Sequence, residues 1–351
     1  MQMTGSRDLG VVVKPLTQGD RARWDAFVTA TPAGTFCHRA GWQRVISEAF
    51  GHKTHFVFAE RNGEITGVLP MTEIRSRLFG HSIVSNAFQV YGGPVATDDE
   101  SRNALTRHAE GLLVQTKADH LEFRSIEAVC PGWLVKSGLY VTFRREISAD
   151  HDANLTSIPR KQRAVVRRGI VNQLTTRVGH DWRTLHRVYG ESVRNLGTPV
   201  FSRKYFALLC AEFGGDAEIL VVEDQGTPIA AVLSFYFRDE VLPYYGGGTP
   251  AARSRAGNDI MYWEVMRRAA DRGCRIFDFG RSKVDTGAYS FKKNWGFTPT
   301  ALNYEFKLRV GATIPDVNPL NPKYRLMIEG WKRLPLPIAN FLGPFLVRNL
   351  G

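Results

Sequence analysis

The sequence predicts an α+β fold: two tandem copies of one unit, each built around a mixed sheet. Three observations carry that expectation. At 351 residues and 43% hydrophobic, the chain exceeds the ~250–300 residues at which a single core stops growing. The element order repeats, as helix–helix, three meandering strands, helix, parallel strand, helix, strand. Three landmarks recur at similar offsets: Gly63 and Gly226 lie 163 residues apart, Tyr91-Gly92-Gly93 and Tyr245-Gly246-Gly247 lie 154 apart, and Ser125 and Ser282 lie 157 apart.

Taken in order, residues 1–10 are expected to be disordered and 11–15 to form a strand. Helices follow at 19–28 and 39–50, the second carrying Trp42, Val45, Ile46 and Ala49 at helical spacing. Strands at 55–60 and 64–73 flank the turn Arg61-Asn62-Gly63. A third, at 83–91, ends at Gly92-Gly93-Pro94. A helix at 101–117 carries Leu105, His108, Ala109, Leu112 and Leu113 on its inner face. Strand 121–126, a short helical piece at 133–136 and strand 139–147 close the first copy. The second copy has helices at 180–194 and 203–213, then strands at 218–223 and 228–237 around Asp224-Gln225-Gly226. Strand 240–245 stops at the glycines 246–248. Helix 258–272, strand 275–279, helix 286–294 and strand 299–309 complete it. This order is the one found in the GNAT acyltransferase fold, where the parallel strand's right-handed crossover opens a cleft at its C-terminal end. The expected domains are 1–150, 151–310 opened by a basic connector helix, and a basic amphipathic tail at 311–351.

Lys plus Arg is 46 against 34 Asp plus Glu, a net charge of +12. Such an excess favours a polyanionic or phosphate-bearing partner, or an anionic membrane face. The four cysteines have no CxxC spacing, which argues against a zinc site or a disulfide scaffold. The nine histidines show no metal spacing, and no Ser/His/Asp or Cys/His constellation is readable. There is no apolar leader and no run of the ~18 apolar residues a membrane span needs. The expected location is cytoplasmic, with peripheral contact at the inner membrane face as the alternative.

The chemistry concentrates in Phe277-Asp278-Phe279-Gly280-Arg281-Ser282-Lys283 and the helix after it, which carries Tyr289, Phe291, Lys292 and Lys293. An acid ending a buried strand opposite cations and aromatics marks a site for an anionic substrate. The first copy offers only Arg124-Ser125 and Lys136 at the matching place. Between the copies, Arg160, Lys161, Arg163, Arg167 and Arg168 place five cations on one stretch of helix. They read as a phosphate clamp or as a solvated face. Tyr245, Gly246 and Gly247 precede a helix begun by Asn258-Asp259. A GNAT enzyme binds the pyrophosphate of acyl-CoA at such a helix N-terminus, although Asp259 opposes an anion there. A turn required only by chain geometry explains the glycines equally well.

The repeated halves, the connector RKQRAVVRR, the strand FDFGRS and the helix GAYSFKKNWGF resemble the FemAB family, and within it the FemAB-like proteins associated with the PEP-CTERM/exosortase system. The tail NPKYRLMIEGWKRLPLPIANFLGP is similar to that subgroup as well. The resemblance implies transfer of an aminoacyl or acyl group to an amine of a cell-envelope or exopolysaccharide precursor. It implies no tightly bound cofactor, with aminoacyl-tRNA or acyl-CoA as co-substrate. It places Phe291 and Lys292 at the acceptor end of tRNA, and Arg160, Arg163 and Arg167 at the precursor's phosphates. Arg281 departs from the small residue common after that strand, and the long coiled-coil insertion of some members is absent.

Aminolysis of an activated ester needs an amine and a stabilised oxyanion. Lys292 is the candidate for that charge stabilisation. Asp278 is either a proton acceptor or an ion-pair anchor, and Tyr289 is either a proton donor or core. Arg281, Lys283 and Lys293 would hold substrate. The expected partners are a phosphate-bearing acceptor (a lipid-linked or nucleotide-linked sugar precursor) and tRNA, with no DNA. An acyl-CoA-dependent N-acyltransferase and a non-catalytic polyanion-binding protein are the competing readings. The aromatics sit in apolar periodic runs, which counts against the last. In the tail, Tyr324, Met327, Ile328 and Trp331 lie at helical spacing among Lys323, Arg325, Lys332 and Arg333. They would face a membrane or dock on the domains.

Overall fold

The computed structural model describes residues 10–76, 79–314 and 322–351, with side chains from 326 onward in the last segment. The expected disordered start lies almost wholly outside the described residues, as do the side chains of Lys323, Tyr324 and Arg325. The chain forms two compact units.

The first unit contains β1 (Val12–Pro15), α1 (Arg21–Ala30), α2 (Gly41–Phe50), β2 (Lys53–Thr54), β3 (Val57–Arg61), β4 (Glu64–Leu69), β5 (Met71–Ser76), β6 (Gly80–Ser85), β7 (Val95–Ala96), α3 (Asp99–Thr116), β8 (His120–Ser125) and β9 (Leu134–Lys136). The second contains β10 (Tyr140–Glu146), α4 (His151–Ser157), α5 (Arg160–Val171), β11 (Thr175–Gly179), α6 (Trp182–Leu196), α7 (Arg203–Phe213), β12 (Ala217–Asp224), β13 (Thr227–Phe237), β14 (Glu240–Gly248), α8 (Pro250–Arg255), α9 (Gly257–Asp271), β15 (Ile276–Asp278), β16 (Ser282–Lys283), α10 (Gly287–Asn294) and β17 (Pro299–Ala301). After these, β18 (Asn303–Leu308) belongs to the first unit, and α11 (Pro322–Arg333) and α12 (Leu336–Val347) belong to the second.

In the first unit the strand orders are β1-β3-β4-β7 and β2-β5-β6-β8-β18-β9. In the second the order is β11-β12-β13-β14-β15-β10-β16, with β17 also on β10. Each unit has the expected parallel pair joined through a helix: β6 and β8 through α3, and β14 and β15 through α9. Beside each pair lies a strand from the other half of the chain. β18 pairs with β8 and β9, and β10 pairs with β15, β16 and β17. The linear division at 150 therefore does not follow the sheets, because β10 finds its hydrogen-bond partners more than a hundred residues later in sequence.

Other expectations shift locally. The strand expected over 83–91 ends at Ser85, where Asn86 and Phe88 take positive φ. The piece expected as helix at 133–136 is β9, and His108 is exposed. β11 was not anticipated, since all five of its residues are exposed and show no apolar alternation.

The second unit's core is dense because β13 (TPIAAVLSFYF) is buried from Ile229 to Phe237 and covered on both faces, as a continuous apolar strand must be. Residues Gly246–Gly248 continue β14 instead of ending it, paired with Val232, Ala231 and Ala230. They are glycine because helices press on both faces of the strand. A Cβ at Gly247 would lie 2.5 Å from Ser192 Cβ on α6, and one at Gly246 would lie 2.9 Å from Tyr262 Oη on α9. We predict that Gly247→Ala destabilises the protein by about 1–3 kcal/mol and that Ser192→Gly restores most of the loss. Denaturant unfolding of both single variants and the pair checks this, and additive losses would disprove the contact.

Candidate functional site

β14 and β15 pair at only two positions, Glu240 with Ile276 and Val241 with Phe277. β14 then runs on along β13 to Gly248, while the other chain leaves β15 at Asp278 and turns at Gly280, where φ is +69°. From Leu242 onward, alternate backbone N–H and C=O groups of β14 point away from β13 with no strand beside them among the described residues. A bulge between Leu233 and Ser234 makes Tyr244 the extra residue on β14, a device that re-aims a strand. Tyr262 from α9 fills part of this wedge. Its ring packs 4.9 Å from Phe279 and 5.6 Å from Phe291. On the other face of β14, Tyr245 donates to or accepts from Tyr205 at 2.7 Å, inside a cluster with Tyr189, Phe201 and Phe206. Tyr245 is therefore packing, and its hydroxyl is pushed well above its ordinary range by burial.

α10 brings Lys292 to the turn that follows β15. Thr286 caps the helix by accepting from Tyr289 N, 3.3 Å. Lys292 Nζ donates to the carbonyls of Gly280 at 2.9 Å and Arg281 at 3.1 Å, and lies 5.7 and 5.9 Å from the rings of Phe143 and Phe279. The side chain is only part-exposed. Burial lowers it to about 7, with Asp278 opposing the shift and Arg281 adding to it. An ammonium has three N–H donors, so two carbonyls leave one for a ligand.

Asp278 is 1% exposed. Its carboxylate accepts from Thr142 Oγ1 at 3.2 Å and Gly280 N at 2.7 Å, and pairs with Arg144 Nε at 3.4 Å. It stands opposite Arg144 in the strand register. Arg144 also pairs with Glu240, whose carboxyl is raised by burial against the pull of that guanidinium. Asp278 is thus committed to holding the turn that positions Lys292.

The remaining expected residues fall into two groups. Around Lys292, Arg281 lies 4.8 Å over the ring of Tyr140 and Lys283 pairs with Tyr140 in the ladder. Tyr289 packs 5.5 Å from Phe143 with Lys293 over its ring, and Phe291 joins Tyr262 and Trp295. On α5, Arg160, Lys161 and Arg167 are exposed, and Arg163 donates to Thr156 O at 3.1 Å. Among the described residues no contact joins these connector cations to the Lys292 group. Instead α5 packs on the start of α9. Gln162 bonds Asp259, Asn172 donates to Arg255 O at 2.8 Å, and Gly169 abuts Ile260. Burial raises Asp259 to about 6, against the bond from Gln162. Arg255 is held by Asp224 at 2.8 and 3.1 Å.

The sequence reading missed Tyr140, Thr142, Phe143 and Arg144, which it placed in the first half, and Tyr262, which lies inside the expected helix 258–272. The alternation in YVTFRRE could have marked a strand but not its partners. No group of three His, Cys, Asp or Glu among the described residues is placed to hold a metal.

Residues 154–293 match the family model described as an acetyltransferase (GNAT) domain. Among solved structures, the chain is similar to FemX, with a TM-score of 0.66 at 16% identity, covering 90% of this chain and 100% of that one. It is similar to the C-terminal domain (DUF2156) of a putative lysylphosphatidylglycerol synthetase from Agrobacterium fabrum, with a TM-score of 0.55 at 13% identity, covering 83% and 93%. It is also similar to a tandem GNAT protein from the clavulanic acid biosynthesis pathway, with a TM-score of 0.53 at 12% identity, covering 87% and 100%. A comparison with curated proteins finds no match. At these identities the likeness establishes the fold, and the expected α+β architecture of tandem GNAT-like units is the one observed.

Two outcomes follow from the geometry. Arg144→Met leaves two buried carboxylates short of their cation and should cost about 3–5 kcal/mol in chemical denaturation. A loss below the error of the measurement would show that the network is unimportant. Lys292, lowered to about 7 when folded, keeps its ordinary 10.5 when unfolded. Between those values the unfolded state binds the extra proton, so this group's contribution to stability rises with pH there and is least below about 7. Lys292→Met should flatten this rise between pH 6.5 and 9. Parallel profiles for the two proteins would refute the assignment.

Proposed function

We propose that the second unit is an N-acyltransferase site and that Lys292 carries its charge chemistry. The observation that supports this most is the wedge between β14 and β15, inside the segment that matches the GNAT acetyltransferase model, with Lys292 held on the turn that follows β15. A donor carbonyl bound against the free edge of β14 would meet backbone N–H groups without reorganisation. The acceptor amine attacks that carbonyl. The tetrahedral oxyanion is held by the remaining N–H of Lys292, and its collapse forms the amide and expels the donor's hydroxyl or thiol. The proton lost by the amine ends on that leaving group. A lysine near 7 can pass it, because both its forms are populated at neutral pH.

The start of α9 favours aminoacyl-tRNA over acyl-CoA as donor. An acyl-CoA pyrophosphate needs the N–H groups of a helix N-terminus, yet here Asp259 is buried in the first turn and α5 packs across it. The exposed cations of α5 offer a surface for a phosphate backbone instead. The acceptor in this reading is an amine on a phosphate-bearing cell-envelope or exopolysaccharide precursor. Incubating the protein with labelled aminoacyl-tRNA or acyl-CoA and a mixture of amines tests both readings. Label should move from aminoacyl-tRNA to an amine, and Lys292→Ala should lower that transfer by about 10²–10³-fold with the fold kept. Transfer from acyl-CoA alone would overturn the donor assignment, and near-normal turnover in Lys292→Ala would overturn the residue's role.

A further inference from the structure

We infer that α12 is a membrane-docking helix that seats the second unit on an anionic phospholipid surface. Its twelve residues, Leu336–Val347, contain no charge. The residues it buries are Ala339, Gly343 and Val347, spaced four apart. Small side chains face inward because the backbone runs close: a Cβ at Gly343 would lie 2.9 Å from Val200 N, and Asn340 sits against Gly190 of α6. The large apolar side chains point outward instead, with Ile338 46%, Phe341 69%, Leu342 39% and Phe345 58% exposed. On α11, Leu326 is 85% and Met327 63% exposed. A surface helix in water presents the opposite arrangement, and contiguous exposed apolar surface of this kind marks an interaction site.

Charge selects the partner. A cavity of about 670 Å³ separates α12 from the start of α7, lined by Arg203 and Lys204 on one side and Leu336, Phe341 and Phe345 on the other. A neighbouring cavity of about 320 Å³ is lined by Arg183, Arg187 and Arg203. These four cations are exposed, and none is in an ion pair among the described residues. Aromatic and aliphatic side chains projecting beside a row of unpaired cations fit the boundary of a bilayer, where acyl chains meet anionic headgroups. A protein partner of acidic character would supply the charge but not the depth of apolar surface that two phenylalanines and a leucine can enter. No helix among the described residues is long and apolar enough to span a membrane, so the contact is peripheral. On α11, Ile328 lies against Gly197 at the end of α6 while Leu326 and Met327 stay exposed. The tail therefore docks on its own unit and presents an apolar face at once.

The test is flotation of the full chain with vesicles of phosphatidylcholine alone or mixed with phosphatidylglycerol. The wild-type protein should float with the mixed vesicles and release at high salt, with at least tenfold less on neutral vesicles. The pair Phe341→Ser and Phe345→Ser should reduce flotation at least tenfold, and Arg187→Gln with Arg203→Gln should reduce it to the neutral-vesicle level. Unchanged thermal unfolding and circular dichroism would show that the variants fold, as exposed positions allow, and the single Phe341→Ala variant gives a milder change with the same readout. Equal flotation of wild type and the phenylalanine pair overturns the proposal. So does a wild-type protein that stays off both vesicles and runs as a dimer broken by those substitutions, since α12 would then face a second copy of the chain.

Discussion

Arg144 holds two carboxylates that belong to the two parallel strands of the second unit. Glu240 begins β14 and Asp278 ends β15, and the guanidinium from β10 pairs with both. The strands separate two residues after they meet, so few ladder bonds hold them near the divergence. The guanidinium is part-exposed but both carboxylates are buried, so removing the cation leaves the acids stranded. Asp278 then passes the constraint on. It accepts from Gly280 N, the turn at Gly280 aims two carbonyls at α10, and those carbonyls fix Lys292. The Lys292 amine is thus positioned by a strand from the opposite end of the domain in sequence.

In the same unit, packing decides which backbone groups of the GNAT-type frame stay open. Glycines at 246–248 allow α6 and α9 to close on β14, and what the helices fill is no longer open to a ligand. The start of α9, with its unpaired N–H groups, is covered by α5 and carries a buried acid. The free edge of β14 remains. The connector cations Arg160, Lys161 and Arg167 on α5 stay exposed.

Much of this was legible in the residues. Period and turn chemistry placed α9 and α10 within a residue or two, because both have apolar stripes and clear stops. The repeat of turns at Gly63 and Gly226 announced two related units. Arg281, Lys283, Phe291, Lys292 and Lys293 stood out as a set the first copy lacks. What could not be read was the role of Asp278, whose neighbours Thr142 and Arg144 are distant in sequence, and of Tyr245, whose hydroxyl finds Tyr205 only in the fold. For α12, only packing shows that its small residues face in and its large ones out.

By itself the sequence determined the local elements, the duplication and the identity of the cationic cluster, since all three depend on residues close together or on a repeat at fixed spacing. Tertiary structure alone decided which strand lies beside which. A strand's side-chain alternation states which faces are buried but not which edge it pairs with. β10 and β18 therefore enter the sheets opposite to the halves that encode them. That exchange, more than any motif, set the surroundings of Lys292, with Phe143 of β10 beside its amine.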